Sequence, residues 1–270
     1  MQACREEKTL SGDGDQRRKV LLIGETWFTQ SVHQKGFDSF VTCTYEEGCG
    51  AFRTALEAGG WLLQHVPCHR VDLDMPITRE AMDTYAAVVL SDVGSNTMLL
   101  SRRTFIDGQP AVDRLQLIAD YVANGGGLLM VGGYMSFSGL EGKARFWASP
   151  LADVLPVIME TGDDREERPS GVQPVVIDTS HPIMQGVADE WPVLLGFNRL
   201  KPRPSCEVLA TCDDYPLLVV GTHGAGRVAA FASDMGPHWG PTAFMSWQGY
   251  GQLWNGVASW LSRRRAEDEG

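Results

Sequence analysis

Three acidic residues and one histidine come directly after short apolar segments that predict buried strands. Glu25 follows the first of these segments and Asp92 follows another. Asp234 and His238 follow a segment late in the chain. The carboxyl ends of parallel strands meet at one edge of a sheet, where ligands of open α/β folds bind. A carboxylate near an imidazole can perform general acid–base chemistry. The sequence therefore predicts a catalytic set, which consists of Glu25, Asp92, Asp234 and His238.

A second set of residues on the same predicted loops could hold a ligand. Its aromatic members can stack on sugar or heterocycle faces, or form a protein interface. The predicted ligand-binding residues are Trp27, His33, Asn96, Gly133, Tyr134, Ser136 and Trp239. Two alternatives stay open, because polar residues after strands often cap the next helix and rings at a sheet edge can cover the core. Carboxylates and histidines could also hold a divalent metal, but we assign no metal ligands, and the cofactor stays unknown.

Residues 125–139 contain the sharpest predicted turn, around which the rest of the chain is organised. The segment 128–131 predicts a buried strand, and the pair Gly132 and Gly133 permits a tight turn after it. A nucleophile elbow would carry its Ser or Cys on such a turn. Here Gly133 or Tyr134 takes that position, and Ser136 lies beyond the bend.

The six cysteines do not indicate a disulfide framework, and none forms a CxxC pair. We expect free thiols in a cytoplasmic protein. Cys68 and His69 are neighbours on an extended segment, so their side chains point in opposite directions and do not form a dyad. Cys43 and Cys49 lack the spacing of a zinc site.

Strands alternate with helices over the first half of the chain, which predicts an α/β fold with a mostly parallel sheet. The predicted elements before the glycine-rich turn are strands at 19–24, 61–66 and 85–90, helices at 46–59 and 112–123, and an irregular segment at 28–45. After it we predict a helix at 143–155, a charged loop at 161–170, an edge strand at 172–177, strands at 206–211, 217–221 and 228–233, and a helix at 250–261. The turn at 224–227 precedes a strand, so it indicates a hairpin and not a phosphate loop.

Composition narrows the classes of partner. The net charge of −11 argues against nucleic acid. No apolar segment approaches the ~20 residues of a membrane helix. We predict a disordered leader at 1–18, a single domain at 19–263 and a frayed tail at 264–270.

Several stretches resemble a known family. They are KVLLIGETW, HQKGFDSF, YEEG, VVLSDVGSNT, YVANGGGLLMVGGYMSFSGLEGKARF, HPI, LLGFNR and GRVAAFASDMGPHWGP. Together they resemble the putative glutamine amidotransferase family of bacterial cytoplasmic proteins, in the class I glutamine amidotransferase-like superfamily and close to the trehalose-utilisation (ThuA-like) proteins. The resemblance implies a flavodoxin-like three-layer α/β/α sandwich and, through the ThuA-like kinship, a carbohydrate-related ligand.

The chain departs from the pattern of true class I amidotransferases at the elbow. Those enzymes carry a G-x-C-x-G elbow, with His and Glu after a late strand, whereas residues 131–136 contain no thiol. His238 follows a late strand, but no Glu stands two residues beyond it. Glutamine hydrolysis needs a thiolate that attacks the amide carbon.

Three functions remain open at this point. The first is a small-molecule binding or catalytic domain without glutaminase chemistry, whose ligand meets the predicted acids and imidazoles. The second is a glutaminase or other hydrolase with an unrecognised nucleophile. The third is a non-enzymatic assembly module, which would form a homo-oligomer through its aromatic loops.

Overall fold

A central eight-stranded sheet organises the computed structural model, which describes residues 18–262. The predicted tail, and all of the predicted leader except Arg18, lie outside the described residues. The strands are β1 (Lys19–Gly24), β2 (Thr26–Lys35), β3 (Asp38–Glu47), β4 (Leu62–Val66), β5 (Ala87–Ser91), β6 (Gly127–Val131), β7 (Val157–Met159), β8 (Arg165–Val172), β9 (Pro174–Val176), β10 (Leu194–Asn198), β11 (Leu200–Pro202), β12 (Glu207–Cys212), β13 (Tyr215–His223) and β14 (Gly226–Phe231). The helices are α1 (Gly50–Ala58), α2 (Val71–Asp74), α3 (Arg79–Met82), α4 (Ser95–Leu99), α5 (Arg102–Phe105), α6 (Arg114–Ala123), α7 (Thr242–Met245) and α8 (Gln248–Leu261).

The strand order of the central sheet is β4-β1-β5-β6-β14-β13-β12-β9. The first five strands run parallel, and the last three pair antiparallel. The predicted α/β fold with a mostly parallel sheet is thereby confirmed. The parallel strands β1, β5 and β6 are continuous apolar segments that are buried from end to end, apart from the half-buried first residue of β1, as expected when both faces of a sheet are covered.

Helices α1 and α8 pack on each other and contact the sheet through large aromatic side chains. Phe52 of α1 and Phe231 of β14 both make edge-on contacts with Trp254 of α8. Each of these rings is at most 2% exposed. Asp113 directly precedes helix α6, and its carboxylate accepts hydrogen bonds from the backbone N–H groups of residues 115 and 116 and so caps the helix. Burial of the rings of Phe52, Phe231 and Trp254 is the main source of stability in the part of the core between α1, α8 and the sheet.

The segment predicted to be irregular, 28–45, is instead part of a regular hairpin formed by β2 and β3. Its ten-residue strands pair from Thr26 opposite Glu47 to Lys35 opposite Asp38. Nearly all of its side chains are exposed. The hairpin has no buried face, so the sequence lacks the apolar alternation that normally identifies a strand.

Two further predictions for the second half of the chain were wrong. The predicted helix at 143–155 consists of short 3₁₀ turns, because Arg145 takes a left-handed backbone conformation and Pro150 begins a new turn. The predicted charged loop at 161–170 contains most of β8, which pairs with β10. The predicted hairpin turn at 224–227 is confirmed between β13 and β14. Within residues 18–262, no helix has both the length and the apolar character needed to cross a bilayer.

Candidate functional site

The carboxyl ends of four parallel strands lie level with one another and form the edge that we call the carboxyl rim. Gly24 of β1 is in register with Ser91 of β5, and Ser91 is in register with Val131 of β6. Val131 is in register with Phe231 of β14. The residues that follow these strand ends therefore meet at one edge, as the sequence predicts. They include all four residues of the predicted catalytic set.

Glu25 lies buried at the carboxyl rim, directly after β1. Its side chain is held by Ser91, whose hydroxyl donates to Glu25 Oε2 at 2.5 Å. Only 1% of the residue is exposed. Burial raises the pKa of Glu25 to about 7, with a further increase from the charge of Asp92, while the hydrogen bond from Ser91 opposes both effects. Glu25 can therefore hold a proton near neutral pH.

Asp234 is a second buried carboxyl, next to Glu25. Both lie against Gly236: its N–H donates to Asp234 Oδ1 at 3.4 Å, and a Cβ at that position would lie 3.1 Å from Glu25 Oε1. Burial raises the pKa of Asp234 well above its usual value, and the negative charges of Glu25 and Asp92 raise it further. The two carboxyls therefore compete to remain ionised, and one proton is favoured on the pair.

His238 lies above this pair and is half exposed. Its Nδ1 is 3.8 Å from Asp234 Oδ2, with the imidazole 49% exposed and the carboxylate 3% exposed. A carboxylate that faces one imidazole nitrogen orients the ring and leaves the other nitrogen, Nε2, toward a ligand. The arrangement is therefore a buried carboxyl pair beneath one accessible imidazole.

Asp92 connects the rim to the glycine-rich turn. Its Oδ1 accepts a hydrogen bond from the N–H of Met135 at 2.6 Å, and its own N–H donates to Ser136 Oγ at 3.0 Å. Gly133 has a φ of 143°, and a Cβ there would lie 3.0 Å from Asp92 Oδ1. Glycine is therefore needed for both the backbone angle and the close approach. Burial raises the pKa of Asp92, an effect that Met135 N–H and the nearby His238 oppose.

Ser136 was predicted to contact a ligand, but its side chain points to the interior. It is 2% exposed, and its hydroxyl oxygen accepts the hydrogen bond from Asp92. The chain turns back after Gly133, which places Ser136 behind the bend and not on it. In this structure its hydroxyl positions Asp92.

Three predicted aromatic residues surround His238. The ring of Trp27 lies 5.0 Å from the imidazole, and the ring of Tyr134 lies 6.0 Å from it. Trp239 contacts Tyr134 at 5.6 Å between ring centroids. Glu167 holds these two rings, since it accepts hydrogen bonds from Tyr134 Oη at 2.7 Å and from Trp239 Nε1 at 3.1 Å. Trp27 and Tyr134 are partly exposed, whereas Trp239 is buried.

Two predicted ligand residues do not join this cluster. His33 lies on the exposed hairpin, stacked on Phe40 at 4.5 Å and hydrogen-bonded to Thr42. It is seven residues from the start of β2, which is about 23 Å along an extended strand. Asn96 is the second residue of α4, where its side chain is exposed. A strand in place of the predicted loop separates His33 from the acids.

Two buried residues that sequence reasoning missed hold the glycine-rich turn. Asn198 is fully buried, accepts the N–H of Gly133 at 3.1 Å, and donates to Asp164 Oδ1 at 2.8 Å. Asp164 also accepts the backbone N–H groups of Ser138 and Gly139. Asn198 lies in the LLGFNR stretch, which contributes to the family resemblance, and it ends strand β10, which the sequence analysis did not predict.

The described cysteines are free thiols, as predicted, and none lies on the bend after β6. Cys68 is partly buried and lies near the rim, with its Sγ 3.7 Å from the backbone oxygen of Asp92. Three potential metal-ligating side chains come together elsewhere, at the base of the hairpin, where Glu47, Cys49 and His65 lie close together.

Comparison with known proteins gives a consistent picture over most of the chain. A family model described as "Putative glutamine amidotransferase" matches residues 19–263. The solved structure of the "Cytoplasmic Protein STM1381" from Salmonella typhimurium LT2 is 46% identical, with 91% of this chain and 100% of that chain covered and a TM-score of 0.87. The "Cytoplasmic Protein STM3548" from Salmonella typhimurium is 42% identical, with 90% and 98% covered and a TM-score of 0.87.

More distant structures share the fold alone. A "Putative thua-like protein" from Bacteroides uniformis ATCC 8492 is 11% identical, with 96% of this chain and 98% of that chain covered and a TM-score of 0.56. No curated protein matches the sequence.

Proposed function

The chain belongs to the putative glutamine amidotransferase family, and we propose that its carboxyl rim has a function other than glutamine hydrolysis. The glycine-rich turn of this chain lacks the nucleophile that glutamine hydrolysis requires. The rim binds a small, neutral, hydroxylated molecule and moves protons on it. The observation that carries this proposal is the buried pair Glu25 and Asp234 beneath the accessible imidazole of His238. We also propose that the helices cover both faces of the sheet in a flavodoxin-like three-layer arrangement.

Glutamine hydrolysis is disfavoured by what stands on the turn. The first residues after β6 are glycines, and Tyr134 then directs its hydroxyl to Glu167. Ser136 is buried and already accepts a hydrogen bond. A nucleophile must lie on the exposed point of the bend with a base in reach, and neither residue satisfies this requirement.

The carboxyl pair and the imidazole can supply an acid and a base. Glu25, with its pKa raised to about 7, can hold a proton near neutral pH. Asp234 lies at Nδ1 of His238, so Nε2 of the same ring is the atom left to accept a proton from a ligand hydroxyl. A ligand hydroxyl that loses its proton to His238 Nε2, and a second ligand atom that takes the proton from the same nitrogen, would balance the transfer, while Glu25 keeps its proton in the buried pair beneath the ring.

The charge and rings of the site favour a neutral polyol over an anion. Glu25, Asp92 and Asp234 are all acidic, and an anionic ligand would be repelled by them. Trp27 and Tyr134 offer partly exposed rings next to His238, and sugar faces stack on such rings. A carbohydrate-like molecule is therefore the ligand class that we propose.

Saturation-transfer NMR with trehalose, glucose and myo-inositol tests the ligand class, with glucose 6-phosphate as the anionic comparison. We expect at least one neutral probe to bind and the phosphate to bind at least tenfold more weakly. His238→Ala and Glu25→Gln should reduce binding at least tenfold. Glu207→Gln, at an exposed position of β12, is the matched control and should leave it unchanged. Failure of every neutral probe, or binding that both rim variants leave intact, would overturn the proposal.

An ammonia-release assay with L-glutamine tests the alternative reaction. We expect no hydrolysis above background. Glutaminase activity in the purified protein that is lost in Cys49→Ser or in Cys68→Ser would instead support a thiol enzyme whose nucleophile lies off the turn. Both cysteines lie near the carboxyl ends of strands, so the two variants cover the thiols closest to the rim.

We extend the proposal to compartment and partners. The two Salmonella relatives are named cytoplasmic proteins, and free thiols suit a reducing compartment. We therefore propose a cytoplasmic protein that binds neither nucleic acid nor membranes, in keeping with the charge of −11. Cell fractionation, with the protein expected in the cytosolic fraction only, checks this proposal.

The exposed hairpin supports a second function, self-association. Phe28, Tyr45, Val32 and Val41 are cross-strand pairs on one face of the hairpin, and all four are exposed, with Val32 at 64%. His69 packs against Phe28 and Tyr45, whereas Val32 and Val41 lie farther along the hairpin and remain exposed. A two-stranded hairpin is only marginally stable in water by itself, so this outer part of the face favours a partner surface. A second copy presents the same face about a two-fold axis, and we propose that this contact forms a homodimer.

Light scattering on a size-exclusion column tests the dimer. The wild-type chain is expected to elute as a dimer, and Val32→Lys with Val41→Glu is expected to give a monomer. The matched control changes the opposite face of the same hairpin, as Ser31→Lys with Thr42→Glu, and should remain a dimer. A wild-type monomer, or a dimer that survives the Val32 and Val41 changes, contradicts this function.

A further inference from the structure

A separate group of side chains lies at the base of the hairpin. Glu47 is the last residue of β3, Cys49 stands directly before α1, and His65 belongs to β4. Each contributes a ligand atom, and these atoms lie within 4.8 Å of one another. Among residues 18–262, no other set of three such side chains meets this condition. We propose that Glu47, Cys49 and His65 bind one divalent transition-metal ion, for which Zn²⁺ is the best match.

The hydrogen bond of His65 fixes which of its nitrogens is free. Nε2 lies 2.8 Å from the backbone oxygen of Gly24. A carbonyl oxygen can only accept, so Nε2 carries the hydrogen and donates it. In the neutral ring Nδ1 then has a lone pair, and this lone pair faces Cys49 and Glu47.

The distances around Nδ1 match those between the ligands of a tetrahedral zinc ion. Cys49 Sγ is 3.6 Å from Nδ1, and Glu47 Oε2 is 3.7 Å from Nδ1. Bonds of about 2.3 Å to sulfur and about 2.0 Å to nitrogen or oxygen, at a tetrahedral angle, place sulfur and nitrogen about 3.5 Å apart and nitrogen and oxygen about 3.3 Å apart. The three donors therefore need only small shifts to share one ion.

A cation also resolves the electrostatics of this group. A carboxylate oxygen and an imidazole lone pair repel each other unless a proton or a metal ion lies between them. One Zn²⁺ with a thiolate, a carboxylate and a neutral imidazole has no net charge, and the thiol proton leaves to solvent as the sulfur–metal bond forms.

Outer contacts hold two of the donors in place. Gly24 orients the ring of His65, and Tyr45 Oη donates to Glu47 Oε1 at 2.8 Å, which leaves Oε2 directed at His65. Carbonyl and hydroxyl groups in these positions are typical partners of metal ligands.

The same geometry argues against a thiol catalytic triad. In a triad the nucleophile and the acidic residue face opposite nitrogens of the imidazole. Here Cys49 and Glu47 both face Nδ1, while a backbone oxygen occupies the Nε2 side. Two donors converging on one nitrogen is the arrangement expected of ligands around a common ion. Three protein ligands leave the fourth tetrahedral position for water or a ligand.

Calorimetry with Zn²⁺ and absorption spectroscopy with Co²⁺ test the site on the full-length, reduced protein after treatment with a chelator. We expect one Zn²⁺ per chain and a near-ultraviolet charge-transfer band from thiolate to Co²⁺. Cys49→Ser should abolish the band and weaken Zn²⁺ binding at least tenfold. Cys43→Ser and Cys68→Ser are matched controls and should retain both signals.

Two more variants test whether misfolding, and not loss of a ligand, explains weaker metal binding. Tyr45→Phe changes a partly exposed ring and removes the hydroxyl that contacts Glu47, so it should fold normally and weaken Zn²⁺ binding about tenfold. Near-ultraviolet circular dichroism of each metal-free variant checks its packing. His238→Ala, a rim variant, should bind Zn²⁺ as the wild type does, which separates this site from the proposed ligand site. Absence of the Co²⁺ band in the wild type, or its survival in Cys49→Ser, would show that no such site exists.

Discussion

Replacing Glu25 with glutamine is expected to remove the pH dependence that this buried carboxyl gives to the free energy of unfolding. Burial raises the pKa of Glu25 from 4.5 to about 7. The folded state therefore binds more protons than the unfolded state between these two values. The free energy of unfolding falls as the pH rises through this window, because the unfolded chain gains more from releasing the proton.

The magnitude follows from the two pKa values. Their difference corresponds to about 3 kcal/mol, at roughly 1.4 kcal/mol per pKa unit. Between pH 5 and pH 8, about 2.5 kcal/mol of this contribution should be lost from the wild-type protein. The glutamine side chain of the variant cannot ionise, so the variant lacks this loss. Removal of the charge at position 25 also lowers the pKa of Asp234. This effect further raises the free energy of unfolding of the variant relative to the wild type as the pH increases.

Urea unfolding at a series of pH values, with a chelator present, measures the effect. The free energy of unfolding of Glu25→Gln minus that of the wild type should increase by about 2.5 kcal/mol from pH 5 to pH 8. Glu207→Gln, at an exposed position of β12, is the matched control, and its difference from the wild type should stay flat. A flat difference for Glu25→Gln as well would refute the assignment of a raised pKa to this carboxyl.

Three further substitutions test the supports of the rim. Asp234→Asn should lower the pKa of Glu25, because it removes a neighbouring negative charge. Titration of the glutamate carboxyls by ¹³C NMR would detect this shift, and an unchanged pKa would show that the two groups are not coupled. Asn198→Ala should lower the free energy of unfolding in urea by about 2–4 kcal/mol, because Gly133 N–H and Asp164 each lose a hydrogen-bond partner. The exposed control Asn96→Ala should change it by no more than about 0.5 kcal/mol. Trp239→Phe should cost about 1–2 kcal/mol through loss of the hydrogen bond to Glu167. The control Trp147→Phe, whose indole nitrogen has no hydrogen-bond partner, should cost less; equal losses would mean that ring volume alone explains the effect.

The strands that build the rim could be predicted because each is a continuous apolar segment. Residues 19–24, 128–131 and 228–231 are buried on both faces, and this pattern is visible without a structure. Their level ends then bring Glu25, Asp92, Asp234 and His238 together. The family resemblance read from the motifs is confirmed by the match over residues 19–263.

The parts that could not be predicted depend on contacts between distant residues. Asn198 holds Gly133 across 65 residues of sequence, and no local pattern records that contact. The hairpin was missed because its strands have no buried face. Cys49 was judged only by its spacing from Cys43, although β4 and the start of α1 bring its Sγ within 3.6 Å of His65 Nδ1. The roles of the rim residues remain predictions.

Three rim residues are among the seven described non-glycine residues with a positive φ. Glu25 has a φ of 52°, Asp92 has a φ of 44°, and His238 has a φ of 83°. Non-glycine residues take such angles at a cost of about 1–2 kcal/mol each, so a fold retains them only where surrounding contacts outweigh that cost. Asp92 is held by Met135 and Ser136, and Glu25 by Ser91. Glycine would remove the backbone cost at each position but would also remove the carboxylate or the imidazole. The side chains are therefore a reason to keep a strained backbone at two strand ends and in the loop after β14, which supports a use for them beyond closing the sheet.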